Sequence, residues 1–484
     1  MGRFLNRHLS AANSPLWHGA PKKSAAVPGT AAAVEAPAEV GPVVAAAPVV
    51  RPTPIQVVGL ICLSIYLISG WATDFSFRFF GGKPYLSLVT GIMALVCFII
   101  SGKALTALRT SVGRLWLALG IWMILSVVFS RWRGGSFELL KAYFPKYHMI
   151  PLYMAAFVVT VSNCRTLLRA CAVGGFVMLL ECVFFGSAEE DGRFAISSNT
   201  LLSNPNDMAM QLLLALGFFL FWIRQPNRVG RALGIVGMIS AFYFLPRTGS
   251  RGGIISGVVM VGLWILLRRD RARVIMAAVL IGAVVVAVTP HNMLQRLVTF
   301  GANEQGADSE DREKAVESRL EREHLLRAAI GYTLRYPLFG IGPGEFADAI
   351  WEDGKKEGRH EASLGPHNTY AQIGAECGIP GLIMFTLAIV GTIRSSYRLY
   401  RATAETEGQA LVAAASYSCF MLTVALAIDL FFHHMAYSGS SIAIIIGLWV
   451  SLENVAKLAG IQVSRPAPEP LMVSAGTVHP TALQ

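Results

Sequence analysis

Charged side chains are scarce in this chain. Asp, Glu, Lys and Arg make up 15% of its 484 residues, against roughly 25% in soluble domains. That is too few to keep the surface of a globular protein of this length wet. Acidic residues are the scarcer kind, 30 against 41 Lys and Arg, which leaves a net charge of +11. The excess is no nucleic-acid footprint, because no basic helix and no interleaving of aromatic with basic residues accompany it. Cysteine is sparse and unpatterned: Cys62, Cys97, Cys164, Cys171, Cys182, Cys377 and Cys419 fall mostly inside apolar runs. An odd number without short spacings excludes a disulfide framework and a zinc site, and leaves packing. A phosphate loop is missing too, since no Lys-Ser/Thr follows the glycine run Gly340 to Gly344 and no strand precedes it.

What the chain has in quantity is apolar length, with 54% hydrophobic residues in runs mostly 14 to 20 long, separated by short basic loops. A bilayer core of about 30 Å needs roughly 20 helical residues, fewer when interfacial residues help. The expected fold is all-α, a polytopic integral membrane protein. Twelve spans are expected near 55–72, 85–101, 114–130, 148–162, 168–187, 207–223, 232–246, 253–267, 274–290, 374–393, 410–432 and 439–456. Some are short, so the count is about 12 (10–12). Residues 1–54 are rich in Ala, Pro and Val; Pro28, Pro37, Pro42 and Pro48 interrupt the apolar part, and each removes a donor that a lipid-exposed helix must satisfy. No compact apolar region with a cleavage site is present. The expectation is therefore a disordered cytoplasmic tail at 1–54, a membrane domain at 55–456 and a second cytoplasmic tail at 457–484.

Orientation follows from the loops. Five short loops on one side, from Lys103 to Arg401, carry 15 basic residues; the short loops on the other side carry nine, among them Arg131, Arg193, Arg247 and Arg251. The richer side is assigned to the cytoplasm, with both termini inside. A long loop, about 291–373, then falls on the periplasmic side, with 14 acidic and 10 basic residues. Within it Ser309 to Tyr336 reads as a helix with Glu310/Lys314 and Glu323/Arg327 pairs. The helix stops at Pro337-Leu338-Phe339-Gly340-Ile341-Gly342-Pro343-Gly344. A connection of that length is uncommon unless it serves as a lid or a binding element.

Three constellations fall on the outer side, each at or just before an apolar span. The first is Asp191-Gly192-Arg193-Phe194 followed by Ser203-Asn204-Pro205-Asn206-Asp207. Asn204 and Pro205 have a structural reading as N-cap and first helical residue, whereas Arg193 has no capping role. The second is Arg247-Thr248-Gly249-Ser250-Arg251-Gly252-Gly253. Arg251 there reads either as a snorkelling interfacial arginine or as an anion ligand beside helix-terminal N–H groups. The third is His367-Asn368, nine residues, then Gly378-Ile379-Pro380-Gly381. A helix over 368–376 puts Asn368, Gln372 and Glu376 on one polar stripe, with His367 and Glu376 half a turn out of phase and roughly 13 Å apart along the axis. Glu376 is therefore expected to contact another element. His433-His434 lacks the carboxylate spacing of a metal site, and Asp429 and Glu181, in or near spans, either line a path or lock helices together.

In this order and spacing the three constellations resemble the bacterial O-antigen ligase and O-antigen polymerase superfamily, over roughly residues 190–395. Ser318-Arg319 ahead of Pro337 to Gly342 adds to the likeness, while the first 54 residues have no counterpart in it. The resemblance implies a metal-independent glycosyltransferase of the bacterial inner membrane without cofactor. Such an enzyme takes a glycan from undecaprenyl diphosphate and passes it, on the periplasmic face, to a hydroxyl of lipid A core, a polysaccharide or a protein. It implies His367 as general base and Arg193 and Arg251 as diphosphate ligands, with Arg319, Asn368, Glu376 and Asn206 in support. The partners implied are that donor, that acceptor and membrane lipids, with no nucleic acid. Ligase and polymerase remain alternatives, as does a lipid-linked glycan transporter or flippase. The last would account for Asp429 and Glu181 but not for polar motifs at span ends, since transporters bind near the midplane.

Overall fold

A computed structural model describes residues 51–79, 81, 85–189, 192–196, 201–268, 270–289, 309–358 and 363–461, all within the compact unit Ala47–Gln484. The expected tails, apart from 51–54 and 457–461, lie outside these residues, as do Asp191 and the stretch 290–308 of the long loop.

The helices are α1 (Pro54–Trp71), α2 (Thr73–Phe79), α3 (Tyr85–Ser101), α4 (Ser111–Val128), α5 (Arg133–Tyr143), α6 (Ile150–Phe157), α7 (Val161–Phe185), α8 (Pro205–Ile223), α9 (Arg228–Arg247), α10 (Arg251–Leu266) and α11 (Arg271–Val288). After them come α12 (Ser309–Arg335), α13 (Phe346–Lys356), α14 (Thr369–Thr403), α15 (Ala410–Asp429) and α16 (Ser441–Leu458). Their starts follow capping chemistry. Thr53 and Thr160 close reciprocal capping boxes with Gln56 and Asn163, and Pro54 and Pro205 stand in the first turn where no N–H is needed. Eight of the described helices are long and apolar enough to cross a membrane, and α3 and α10 are shorter apolar helices. The centre of the bundle is α8, α15 and α16, whose apolar windows are 78%, 78% and 83% buried, against 28% for α9. Helices apolar on every side belong inside, with protein on all faces.

One expectation is corrected. The span expected at 148–162 is instead the eight-residue α6, followed by a new helix at Val161. Eight residues reach roughly 12 Å, less than half a bilayer core. Pro145 and Pro151 interrupt the backbone ladder, so this part of the chain runs as α5, one wide turn at Phe144–His148, and α6. The all-α fold carries one short antiparallel hairpin among its described residues, β1 (Gly186–Ala188) and β2 (Phe194–Ile196). Gly186 permits it: a Cβ there would lie 2.1 Å from the Phe194 ring.

The long loop is helical where expected, as α12 and then the strap 336–345. The strap is held by a break in α14. Gly378 adopts φ 71°, and Pro380 has no N–H to offer Glu376, so helix carbonyls are released. Each is taken up. Ile341 N–H donates to the Ala375 carbonyl (2.9 Å), Gly342 N–H to that of Glu376 (3.1 Å), and Trp122 Nε1 to that of Cys377 (2.9 Å). Phe339 of the strap stacks on Trp122 and Phe129, with ring centroids 4.9 and 4.1 Å away. Beyond the strap, Arg131 grips Asp353 of α13 with two bonds of 2.9 and 2.8 Å, and Tyr332 of α12 donates to the same carboxylate at 2.7 Å.

Candidate functional site

The hairpin decides where Arg193 goes. Glu189 N–H donates to the Arg193 carbonyl at 2.8 Å, and Gly192, at φ 77°, turns the chain. Arg193 Nε then donates to the Thr248 carbonyl (2.8 Å) and Nη2 to Asn206 Oδ1 (2.8 Å). A single guanidinium so joins the first constellation to the second. Asn204 caps α8 by accepting from Asn206 N–H (2.9 Å), as the structural reading expected. Asn206 is left to orient Arg193.

Arg251 opens α10 and is exposed, while Gly252 and Gly253 behind it are buried. Ser250 caps the helix by accepting from Gly253 N–H at 3.3 Å. Gly252 lets α10 approach the loop after α15: a Cβ there would stand 2.6 Å from Phe432. Arg247, at the end of α9, lies over the Tyr243 ring at 4.1 Å.

That same loop, 430–437, meets His367. The His367 and His434 rings are 4.9 Å apart edge to face, and Gly365 makes room, since a Cβ would come within 2.5 Å of the His434 ring. Thr369 clamps the loop to the start of α14: its N–H donates to the Leu430 carbonyl (2.8 Å), its hydroxyl donates to the His433 carbonyl (2.7 Å), and Met435 N–H donates to that hydroxyl (3.0 Å). His433 Nδ1 lies 2.9 Å from the Asp429 carboxylate, both groups buried. Asp207, in the first turn of α8, acts on His433 electrostatically.

His367 has a φ of 46°, the one positive value at a non-glycine among the described residues. Left-handed backbone at such a residue costs on the order of 1–3 kcal/mol and clusters at functional sites. Its imidazole is pushed down to about 4, first by burial and then by His434, Arg322 and His433. It is therefore neutral near pH 7 and has a lone pair to accept a proton.

The supporting residues divide. Asn368 caps α14 by accepting from Ala371 N–H (3.0 Å). Gln372 accepts from Ala436 N–H (3.2 Å). Glu376, buried, accepts from Gly344 N–H (3.1 Å) and Phe346 N–H (3.3 Å) and so holds the strap. The polar stripe along α14 thus ties three segments together, and Glu376 serves another element, as its phase required. Arg319 is exposed on α12; the residue of that helix whose charge bears on His367 is Arg322, nearly one turn later. Sequence reasoning missed Arg322 and, beyond His433-His434, gave the 430–437 loop no part in the site.

Residues 236–386 match the family model described as O-antigen ligase. The match spans the second constellation, α12, the strap and the third constellation, about a third of the chain. Over that segment the chain is similar to the O-antigen ligase family. The likeness supports, broadly, an activity of the O-antigen ligase or polymerase type on a lipid-linked glycan and an acceptor, and the eight apolar helices fit a multi-pass membrane protein. Among curated proteins no match is found. Arg193, Asn206, Asp429 and His433 lie outside the matched segment, so their place beside it is a finding of the tertiary structure.

Proposed function

We propose that the protein is an inner-membrane glycosyltransferase of the O-antigen ligase type, working on the periplasmic face. It transfers a glycan from undecaprenyl diphosphate to a hydroxyl of lipid A core or of a polysaccharide. The observation that supports this reading is the linkage among the three constellations. Arg193 is bonded to the turn before Arg251, and Phe432 and His434 connect that turn to a neutral His367.

The chemistry asked of the site matches these groups. The anomeric carbon–oxygen bond to the diphosphate breaks, and the electron pair leaves on the phosphate oxygen. The acceptor oxygen forms the new bond to the anomeric carbon, and His367 takes its proton. Arg193 and Arg251 bind the departing diphosphate, because a guanidinium stays charged and meets phosphate oxygens with two parallel donors. Asn206 and the Thr248 carbonyl fix the Arg193 fork in advance, so little reorganisation is needed as charge develops.

Changing His367, Arg193 and Arg251 singly to alanine, with membrane expression checked by blot, tests the reading. Each variant is expected to lose on the order of a hundredfold or more in transfer. Full-length surface glycan in all three would overturn it. In a deletion strain, electrophoresis separates the two activities: lipid-linked chains accumulating with no polymer on the core indicate a ligase, single repeat units on the core a polymerase.

A further inference from the structure

The Asp429–His433 pair has no part in the transfer step described above, yet it is built with care. Asp429 ends α15, where helix carbonyls converge and a carboxylate is unfavourable without a cation. His433 supplies one: its Nδ1 lies 2.9 Å from the carboxylate and 3.2 Å from the Asp429 main-chain carbonyl. Its Nε2 is buried without a hydrogen-bond partner. Thr369, two residues after His367, bonds to the backbone at Leu430, His433 and Met435, on both sides of His433. The distance between His433 and His367 is therefore set by the fold rather than by flexible side chains.

We propose that His433 is a positioning residue, a fixed imidazolium held by Asp429 that keeps His367 in its free-base form. Asp429 touches His433 on its Nδ1 side, and the field of His433, not that of Asp429, is among the charges acting on His367. Burial works against a charge on His433, but the contacts with Asp429 and the nearby Asp207 outweigh it and raise its affinity for the proton. The other groups around this centre are His434 on the same loop, Arg322 from α12 and Arg251 at the start of α10, next to the Gly252–Phe432 contact. Adjacent cations disfavour one another, so a proton resident on His433 is a proton kept off His367. This inference rests on His367 being the base, but its test is separable from that reading.

The test uses the full-length protein with isotope-labelled histidine in lipid nanodiscs. The His367 ring signal is assigned by its loss in His367→Asn, and its titration midpoint is followed in wild type, His433→Gln, Asp429→Asn and His433→Lys. The midpoint is expected to rise by roughly half a pH unit in the first two variants and to stay near wild type in His433→Lys, which restores the charge. The acid limb of the transfer rate should move with it. An unchanged midpoint in His433→Gln and Asp429→Asn, or a wild-type His433 that is neutral at pH 7, would overturn the proposal. Should both variants fail to fold, the wild-type His433 titration decides alone. Full transfer by His367→Asn with a shifted His367 midpoint would leave the fixed-charge role standing and remove the base assignment.

Discussion

His367 combines two properties that seldom meet in a residue serving only to pack: a left-handed backbone and an imidazole held neutral. Asn tolerates that backbone better than most residues. His367→Asn should therefore keep a melting midpoint near wild type while losing transfer, which separates chemistry from folding. The pH dependence follows from the direction of the shift. A base works unprotonated, and a midpoint near 4 keeps His367 unprotonated well below the ordinary histidine value of 6.5. The rate should hold as pH falls from 7 to 6 and decline only below about 5, as kcat/KM for the free enzyme reports. A limb at or above 6.5 would contradict the assignment. At Arg251, lysine keeps the charge but not the planar fork, so Arg251→Lys should fall between wild type and alanine in transfer, with a loss on the order of tenfold.

The elements that carry the site are held by the broken α14 and the strap. Gly340, at φ 70°, passes so close to α14 that a Cβ would lie 2.3 Å from the Glu376 backbone. Gly340→Ala should cost on the order of 1–3 kcal/mol from backbone strain alone, read as a lower melting midpoint in detergent and faster proteolysis of the 336–358 segment. Glu345, buried beside Ser136 (3.2 Å), has its carboxyl pushed up to about 7 by burial, with Asp348 and Glu352 adding to the rise. A folded value above the unfolded one means stability present below about 4.5 and lost as pH rises through about 7. Glu345→Gln should therefore raise the melting midpoint at pH 8 and leave it little changed at pH 5. An equal effect at both values would sink the idea.

At the scale of the whole molecule, the polar motifs gather at one end of the bundle and the arginine-rich turns at the other. Lys457 Nζ bonds the Arg109 carbonyl (3.0 Å), Asn454 Nδ2 the Thr106 carbonyl (3.1 Å), and Arg224 lies over Tyr417 at 3.5 Å, all at the end opposite His367. If the arginine-rich end faces the cytoplasm, a cysteine replacing exposed Ser187 should react with a membrane-impermeant thiol reagent in intact spheroplasts. A cysteine at exposed Arg271 should react only after permeabilisation. The native cysteines are buried apart from the half-buried Cys62, so they leave little background. The reverse pattern would invert the orientation.

Apolar length, capping residues and the basic loops were legible without coordinates, because each depends on residues near one another in the chain. Most span positions, the helix at 309–335, the Asn204-Pro205 start and the phase of Glu376 against His367 all followed from such local rules. One local signal misled: the apolar run at 148–162 hides a helix end at Phe157. What only the tertiary structure decided is who meets whom. The strap closes on carbonyls released by a kink more than 30 residues away, Arg193 reaches Thr248, and His434 comes to stand by His367. Hydropathy cannot encode those contacts, since they depend on how buried helices of nearly uniform apolar surface choose their neighbours, and that choice rests on small-residue close approach and backbone donors left without partners.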